Sequence, residues 1–382
     1  MRHVSAICGG GMRAALGAAA GIAFAAAVAA GEIGFVDVGD AGNPADALGC
    51  GAVAYEYRIG IHEVTNAQYT AFLNAVAADD TYELYNPGMR IARAGQPGAY
   101  AYATAEGAKP VTFVSWFDSI RFANWLHHGM PAGGQDATTT EDGAYALLGA
   151  AEAGPRKAGA RAYLPSEDEW CKAAYFRGAE GYAEYPLPPG VVPLAAPPGA
   201  LAGSANFDRA VADVTAAGAY TESASYYGTF DQAGNVWEWV ETEIDGERGI
   251  RGGSWDDYAL LLGAGYRDSD RPAAEYEVLG FRIAASVAVE VFFRRGDVNQ
   301  DGTIDIADPI SMLGYLFAQA APPRCLSSAD ANDDGKTDIA DAIALLSHLF
   351  GGVAALPPPF GACGADPTPD VLGCMEFTPC AQ

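Results

Sequence analysis

The chain has 382 residues, 50% of them hydrophobic, and a formal net charge of −26. That length suits two or three domains, and that hydrophobic share supplies a sizeable core. The acidic balance argues against nucleic-acid binding, which needs a basic face, and favours divalent cations and high solubility.

Residues 1–30 read as a signal peptide. Arg2 and Arg13 supply a positive start, residues 14–28 are an Ala-rich run, and Val28-Ala29-Ala30 place small side chains before a cleavage point at Gly31-Glu32. A run this short and this weakly apolar argues against a membrane anchor. The mature protein is expected to be secreted, periplasmic or on the cell surface, with no membrane span after cleavage. Loss of Cys8 leaves Cys50, Cys171, Cys325, Cys363, Cys374 and Cys380. An even count in an exported chain permits disulfides. The four from Cys325 onward allow three pairings, among which spacing does not choose. Nor does it say whether Cys50 and Cys171 pair.

Residues 33–38 and 55–61 have the character of strands. Thr65 then reads as a helix N-cap, with Tyr69, Phe72, Leu73 and Val76 on one core-facing side. Residues 79–107 are polar, Tyr-rich and Gly-rich without a period, and read as a long surface excursion. Ser115 caps a second helix, with Asp118 in its first turn and Trp116, Ile120, Ala123 and Leu126 at helical spacing. His127 and His128 close that helix. They are candidate metal ligands, although polar side chains are ordinary at a helix C-terminus. Ser166 and Glu169 make a capping box ahead of Trp170, Ala173 and Ala174. Six prolines in residues 185–203 preclude helix and central strand and leave a surface loop.

Residues 228–255 gather three of the six tryptophans. They hold Gly234-Asn235-Val236-Trp237-Glu238-Trp239 and Arg251-Gly252-Gly253-Ser254-Trp255. Glycine beside tryptophan brings backbone close to a large flat ring. Asp231, the carbonyls of Gly234 and Val236, and Glu238 can together wrap a hard cation in oxygen. The competing reading is a packed hairpin with a solvated acid on each side.

These two clusters resemble the signature of the sulfatase-modifying-factor family, the fold of the formylglycine-generating enzyme. Further matches follow in the family's order: Glu63-Val64-Thr65-Asn66, Pro110-Val111-Thr112-Phe113-Val114-Ser115-Trp116, Leu164-Pro165-Ser166-Glu167-Asp168-Glu169-Trp170 and Gly280-Phe281-Arg282. The resemblance implies an α+β, irregular, C-type-lectin-like domain over residues 31–290. It also implies calcium ligands in Ser204-Ala205-Asn206-Phe207-Asp208: the side chain of Asn206 and the carbonyl of Phe207, with Asp213 as the partner acid.

The family's oxidases hold Cu(I) on two cysteines shortly after the second cluster and oxidise a substrate cysteine to formylglycine with O₂. Soft thiolates suit that metal. The matching positions here are Asp257 and Leu262, neither of which can be a thiolate, so no copper is expected. A related branch, the ergothioneine-type sulfoxide synthases, uses a histidine-held iron. The mature chain offers His62, His127, His128 and His348, whose spacing does not match that branch's helix motif. The resemblance therefore points to a non-catalytic domain that binds a glycan or peptide. The alternatives are an oxidase or metal-dependent enzyme of the formylglycine-generating or nonheme-iron type on the same fold, and a pure assembly component.

Residues 291–382 form a second domain built on an internal repeat. Asp297, Asn299, Asp301, Gly302, Thr303, Asp305 and Asp308 recur, at a shift of 33, as Asp330, Asn332, Asp334, Gly335, Lys336, Asp338 and Asp341. Ile306, Ile310, Leu313 and Phe317 recur as Ile339, Ile343, Leu346 and Phe350. Two patterns with one offset mark a true repeat. One apolar helix stripe per repeat is what the segment offers for burial. Oxygens at loop positions 1, 3, 5 and 12, a carbonyl at 7 and a contact at 9 can surround Ca²⁺, with Gly at position 6 for the turn. The loops are 297–308 and 330–341, and Asp stands at position 12 where an EF-hand has Glu. This all-α, loop-helix unit resembles a dockerin, which implies two bound Ca²⁺ here, beside one or two in the first domain, and a cohesin-like partner. Ile306-Ala307 and Ile339-Ala340 occupy the partner-reading positions, where many cellulosomal dockerins carry hydroxyl pairs. Pro322-Pro323 and Pro357-Pro358-Pro359 resemble stiff spacers.

Overall fold

The computed structural model describes residues 32–149, 151–287, 291–318, 320, 322–352, 355–368, 372–374 and 377–380. The expected signal peptide lies outside the described residues. Strand β1 (Phe35–Val38) pairs with β2 (Tyr57–Gly60). Thr65 then caps α1 (Asn66–Val76): its hydroxyl accepts from the Gln68 N–H, and the Gln68 side chain returns to the Thr65 N–H. Tyr69, Phe72, Leu73 and Val76 are all buried, as their spacing requires.

Residues 79–107 are more than a surface excursion. They fold back as the ribbon β3 (Ala92–Ala94) and β4 (Ala101–Ala103), and they bury Leu84, Met89, Ile91 and Tyr102. The anchor is Tyr102. Its hydroxyl donates to the Ala77 carbonyl at 2.9 Å, and its backbone pairs both ways with the Asn74 side-chain amide. These are contacts to α1, and they leave no local period in the sequence.

Helix α2 (Trp116–His127) carries the reciprocal Ser115–Asp118 cap. After β5 (Ala162–Tyr163), α3 (Glu167–Tyr175) opens on the expected Ser166–Glu169 box. The proline-rich loop contributes only β6 (Leu194–Ala195), parallel to β7 (Ser204–Ala205). The tryptophan-rich stretch becomes the hairpin of β8 (Trp237–Ile244) and β9 (Glu247–Arg251). Three short strands follow: β10 (Asp268–Asp270), β11 (Leu279–Phe281) and β12 (Ala284–Ser286). The two main sheets have the orders β1-β2-β12-β5 and β10-β9-β8-β11. In the second, β11 runs parallel to β8.

Aromatic rings join the helices to the sheets. Phe72 on α1 meets Phe122 on α2 edge-on at 5.3 Å, and Phe122 meets Phe281 on β11 at 5.5 Å. Each pair adds about 0.5–1.5 kcal/mol beyond burial. Truncating Phe122 to alanine would cost about 3–5 kcal/mol.

Beyond residue 291 come α4 (Ala307–Phe317), α5 (Leu326–Ala329) and α6 (Ile339–Phe350). Most of the recurring apolar stripe stays outside their core: Phe317 is 70% exposed and Phe350 71%, and Ile310 and Ile343 also face outward, whereas Leu313 packs against the core. The loop acids explain this. Asp308 and Asp341 are buried in the first helical turns, so their i+4 neighbours Met312 and Leu345 face inward with them. Disulfides join Cys50 to Cys171, Cys325 to Cys374 and Cys363 to Cys380, which resolves the pairings spacing left open. Among the described residues, no helix is long and apolar enough to cross a membrane.

Candidate functional site

The start of β8 lies against β11, with Glu238 in register with Gly280. Two residues later, Arg282 turns its guanidinium onto Glu238, donating from Nε to Oε2 at 2.5 Å and from Nη2 to Oε1 at 2.6 Å. Trp170 Nε1 donates to the same Oε2 at 2.6 Å. Arg282 also donates to the carbonyls of Gly60 and Phe230, both at 2.9 Å. Neither charged side chain is exposed. Glu238 is thus the counter-ion of Arg282, where the sequence suggested a cation ligand or a solvated acid. A carboxylate already satisfied by three charged or polar N–H groups has little left for a metal.

The other expected ligands lie beside this pair. Gly234 has φ +97°, and a Cβ there would fall 2.3 Å from the Asn206 carbonyl oxygen, so only glycine permits the approach. That contact brings the expected groups at Asn206 and Phe207 to the turn carrying Asp231, Gly234 and Val236. Asn235 bridges them further. Its Nδ2 donates to Glu63 Oε1 at 2.8 Å, and its Oδ1 accepts from Asn206 Nδ2 at 3.0 Å. Glu63 Oε2 and Asn206 Oδ1 are buried and have no hydrogen-bond partner among the described residues. Asp231 accepts from the Gly218 N–H at 2.6 Å.

Burial pushes the Glu63 carboxyl well up, and the nearby Asp231 pushes it further. Burial likewise raises Asp231 to about 6, against the pull of the Gly218 N–H. Two buried acids and two orphan oxygens are a donor set suited to a hard cation. Glu63 was not among the expected site residues. Its one sequence signal was its place in the Glu63-Val64-Thr65-Asn66 match. Asp213, the expected partner acid, instead sends its carboxylate to Lys109 at 2.9 Å and to Arg90, while its carbonyl accepts from Asn206 Nδ2.

Neither position expected to match the family's thiols is free. Asp257 Oδ2 accepts from Ser254 N–H at 2.9 Å, Ser254 Oγ at 2.6 Å and Trp237 Nε1 at 2.8 Å. Leu262 is fully buried. Cys171 is in its disulfide with Cys50. Two histidines have backbone partners: His127 Nδ1 accepts from the Arg161 N–H at 3.1 Å, and His128 Nε2 lies 2.9 Å from the Asp142 carbonyl. His62 packs on Phe230, and burial lowers both His62 and His127 to about 4. His348 packs on Phe360 in the second unit. Among the described residues, no three His, Cys, Asp or Glu side chains form a ready-made metal cluster.

The repeated loops draw on other oxygens as well. Asp297 accepts from the Asp301 and Gly302 N–H groups at 3.1 Å each, and Asp330 accepts from Asp334 at 3.1 Å and Gly335 at 3.0 Å. Asn299 and Asn332 each accept from the same N–H as the loop's first acid, both at 3.0 Å. Asp301 accepts from the Thr303 N–H at 2.8 Å and Asp334 from the Lys336 N–H at 3.1 Å. Asp305 and Asp338 each accept from the N–H two residues on, at 2.7 Å. Asp308 and Asp341 accept from the Asp305 and Asp338 N–H groups, both at 2.8 Å. The chemical repeat is therefore also a geometric one. Burial pushes Asp297, Asp308 and Asp330 up, and Asp341 to about 6. Such acids are poised for a cation to neutralise.

Residues 32–287 match the model of the sulfatase-modifying factor enzyme 1-like domain, and residues 295–350 that of the dockerin type I domain. Over 256 residues the chain is 28% identical to a hercynine oxygenase of Mycolicibacterium thermoresistibile, covering 60% of this chain and 51% of that protein. Over 259 residues it is 23% identical to the serine/threonine-protein kinase pkn1 of Chlamydia pneumoniae, covering 62% of this chain and 34% of that one. The chain therefore spans about half of one of these curated relatives and about a third of the other. Among solved structures it is similar to CarF, with 24% identity and a TM-score of 0.43, over 67% of this chain and 99% of that one. On the match over residues 32–287, the chain belongs to the family of the sulfatase-modifying factor enzyme 1-like domain, and it carries a dockerin type I domain behind it.

Proposed function

We propose that this is an exported, calcium-binding assembly protein. Its dockerin ties the chain to a cohesin-like module, and its first domain serves as a non-catalytic binding module for a glycan or peptide. The observation that carries this reading is the pair of loops at 297–308 and 330–341, whose internal hydrogen bonds coincide at the repeat offset. Each loop would hold one Ca²⁺ through the side chains of positions 1, 3, 5 and 12, the carbonyl of Thr303 or Lys336, and Asp305 or Asp338. Bound calcium would neutralise the buried acids and fix the helices that follow. Each helix offers an outward apolar ridge, Ile306, Ile310 and Phe317 on one and Ile339, Ile343 and Phe350 on the other. Ridges of this kind suit an apolar partner surface.

In the first domain, one or two further Ca²⁺ would sit among Asp231, the Gly234, Val236 and Phe207 carbonyls, Asn206 Oδ1 and Glu63, with Glu238 kept as the partner of Arg282. The assembly reading is tested by calorimetry of the purified chain against a panel of cohesin modules, in calcium and in chelator. Calcium-dependent binding to at least one module is expected; no binding to any module in calcium contradicts it. Glycan and peptide arrays test the first domain in the same way.

A second reading, a metal-dependent oxygenase on the same fold, is favoured by the 28% identity to hercynine oxygenase. The histidines open to it are His62, His127 and His128. Elemental analysis after iron and copper loading separates the two: calcium alone supports the binding module, whereas stoichiometric iron or copper supports the oxygenase.

A further inference from the structure

Arg251 ends β9 and is 2% exposed. Its Nη1 donates to the carbonyls of Ala264 and Tyr266, and its Nε faces the Glu167 carboxylate at 3.2 Å. Its Nη2 donates to both sulfurs of the Cys50–Cys171 disulfide, lying 3.4 Å from Cys50 Sγ and nearer to Cys171 Sγ. A disulfide that only staples the fold requires no cation on its sulfurs. The counter-ion of Arg251 is Glu167. Glu167 is shared with Arg267, so one carboxylate serves two guanidinium groups. The neighbouring Asp168 accepts from the Gly51 N–H at 2.7 Å.

The two sulfurs differ in access. Cys171 is 2% exposed and packs among Trp170, Ala174 and Val240. Cys50 is half-buried and lines a cavity of about 170 Å³ together with Glu167, Asp168, Arg251 and Arg267. That volume admits the cysteinyl end of a small molecule.

We propose that Cys50–Cys171 is an exchangeable disulfide, opened by a low-molecular-weight thiol that enters this cavity. The incoming thiolate attacks Cys50 Sγ and forms a mixed disulfide there. The Cys50–Cys171 bond breaks, and its electron pair leaves on Cys171 Sγ. That thiolate forms directly against the Arg251 guanidinium, which stabilises it as a leaving group. A second thiol then attacks the sulfur of the bound adduct, releases Cys50 as a thiol and departs as the oxidised dimer of the reagent. The small thiol is the only reductant required. Arg251 positions and stabilises the leaving sulfur and takes no part in bond making.

The test uses the full-length chain in calcium under native conditions, with reduced glutathione as the probe. Samples are quenched in acid, free thiols are alkylated, and peptides are mapped by mass spectrometry. Glutathione should appear on Cys50 with the alkyl label on Cys171, about tenfold faster than adducts at Cys325, Cys363, Cys374 or Cys380. Arg251→Met should slow this by about tenfold, and Arg251→Lys should recover part of the rate. Equal rates at the three disulfides, or glutathione on Cys171, would overturn the proposal from the parent protein alone. A folded Arg251→Met variant reacting at the parent's rate would do the same.

Discussion

Arg282 holds Glu238 with two parallel hydrogen bonds of 2.5 and 2.6 Å, and neither side chain reaches solvent. Removing one member of such a pair leaves the other charge buried and unpaired, at a cost of about 3–5 kcal/mol. Glu238→Ala should therefore lower unfolding free energy by about that amount in urea titrations, equally in calcium and in chelator. A loss seen only in calcium would instead make Glu238 a cation ligand.

Asp118 is expected to give the fold a pH dependence. It is buried in the α2 cap, and burial raises its carboxyl to about 7, against the pull of the Ser115 hydroxyl and N–H. Its folded pKa lies above the unfolded one, so the folded state keeps a proton that the unfolded state has lost. The stability this group contributes is full below about pH 4 and is lost as pH rises to about 7. Asp118→Asn keeps an acceptor for Ser115 and removes the titration. The stability of the variant relative to the parent should rise across that window in denaturation curves at pH 4, 5.5 and 7. Parallel pH profiles would show that Asp118 titrates normally.

Asp257 and Leu262, the positions expected to correspond to the family's copper thiolates, are both engaged, one in a turn and the other in the core. The purified protein, supplied with copper and O₂, should leave the cysteine of a sulfatase peptide intact. Mass spectrometry that shows conversion of that cysteine to formylglycine would demonstrate a copper site built from other residues.

The parts of the fold visible in the sequence are the local ones. Each cap lies within four residues, so the N-caps Thr65 and Ser115 and the Ser166–Glu169 box follow from side-chain chemistry at fixed spacing. The repeated acidic loops are equally legible, because their side chains lie in one short run. What joins distant segments was hidden. Nothing in the spacing ties Glu63 to Asn235, Cys50 to Cys171, or Tyr102 to Asn74. The Glu238–Arg282 pair reverses a local expectation: an acid among backbone carbonyls looks like a cation site until a guanidinium from another strand is placed on it. The outward Phe317 and Phe350 show the same limit, since apolar period alone does not say which side of a helix the loop acids turn inward.

The central claim is that the repeated loops bind calcium and that this binding organises the dockerin. At calcium about a hundredfold above its dissociation constant, each site adds about 2.7 kcal/mol of stability by linkage, a large share of what so small a domain possesses. The direct test is calcium titration calorimetry on the chelator-treated full-length chain, with Asp301→Ala, Asp334→Ala and the double variant beside it. Each single variant should bind about one ion fewer than the parent and the double about two fewer, and helical circular dichroism should fall in the same order. Unchanged stoichiometry in the double variant, or full helicity of the parent in chelator, would contradict the account.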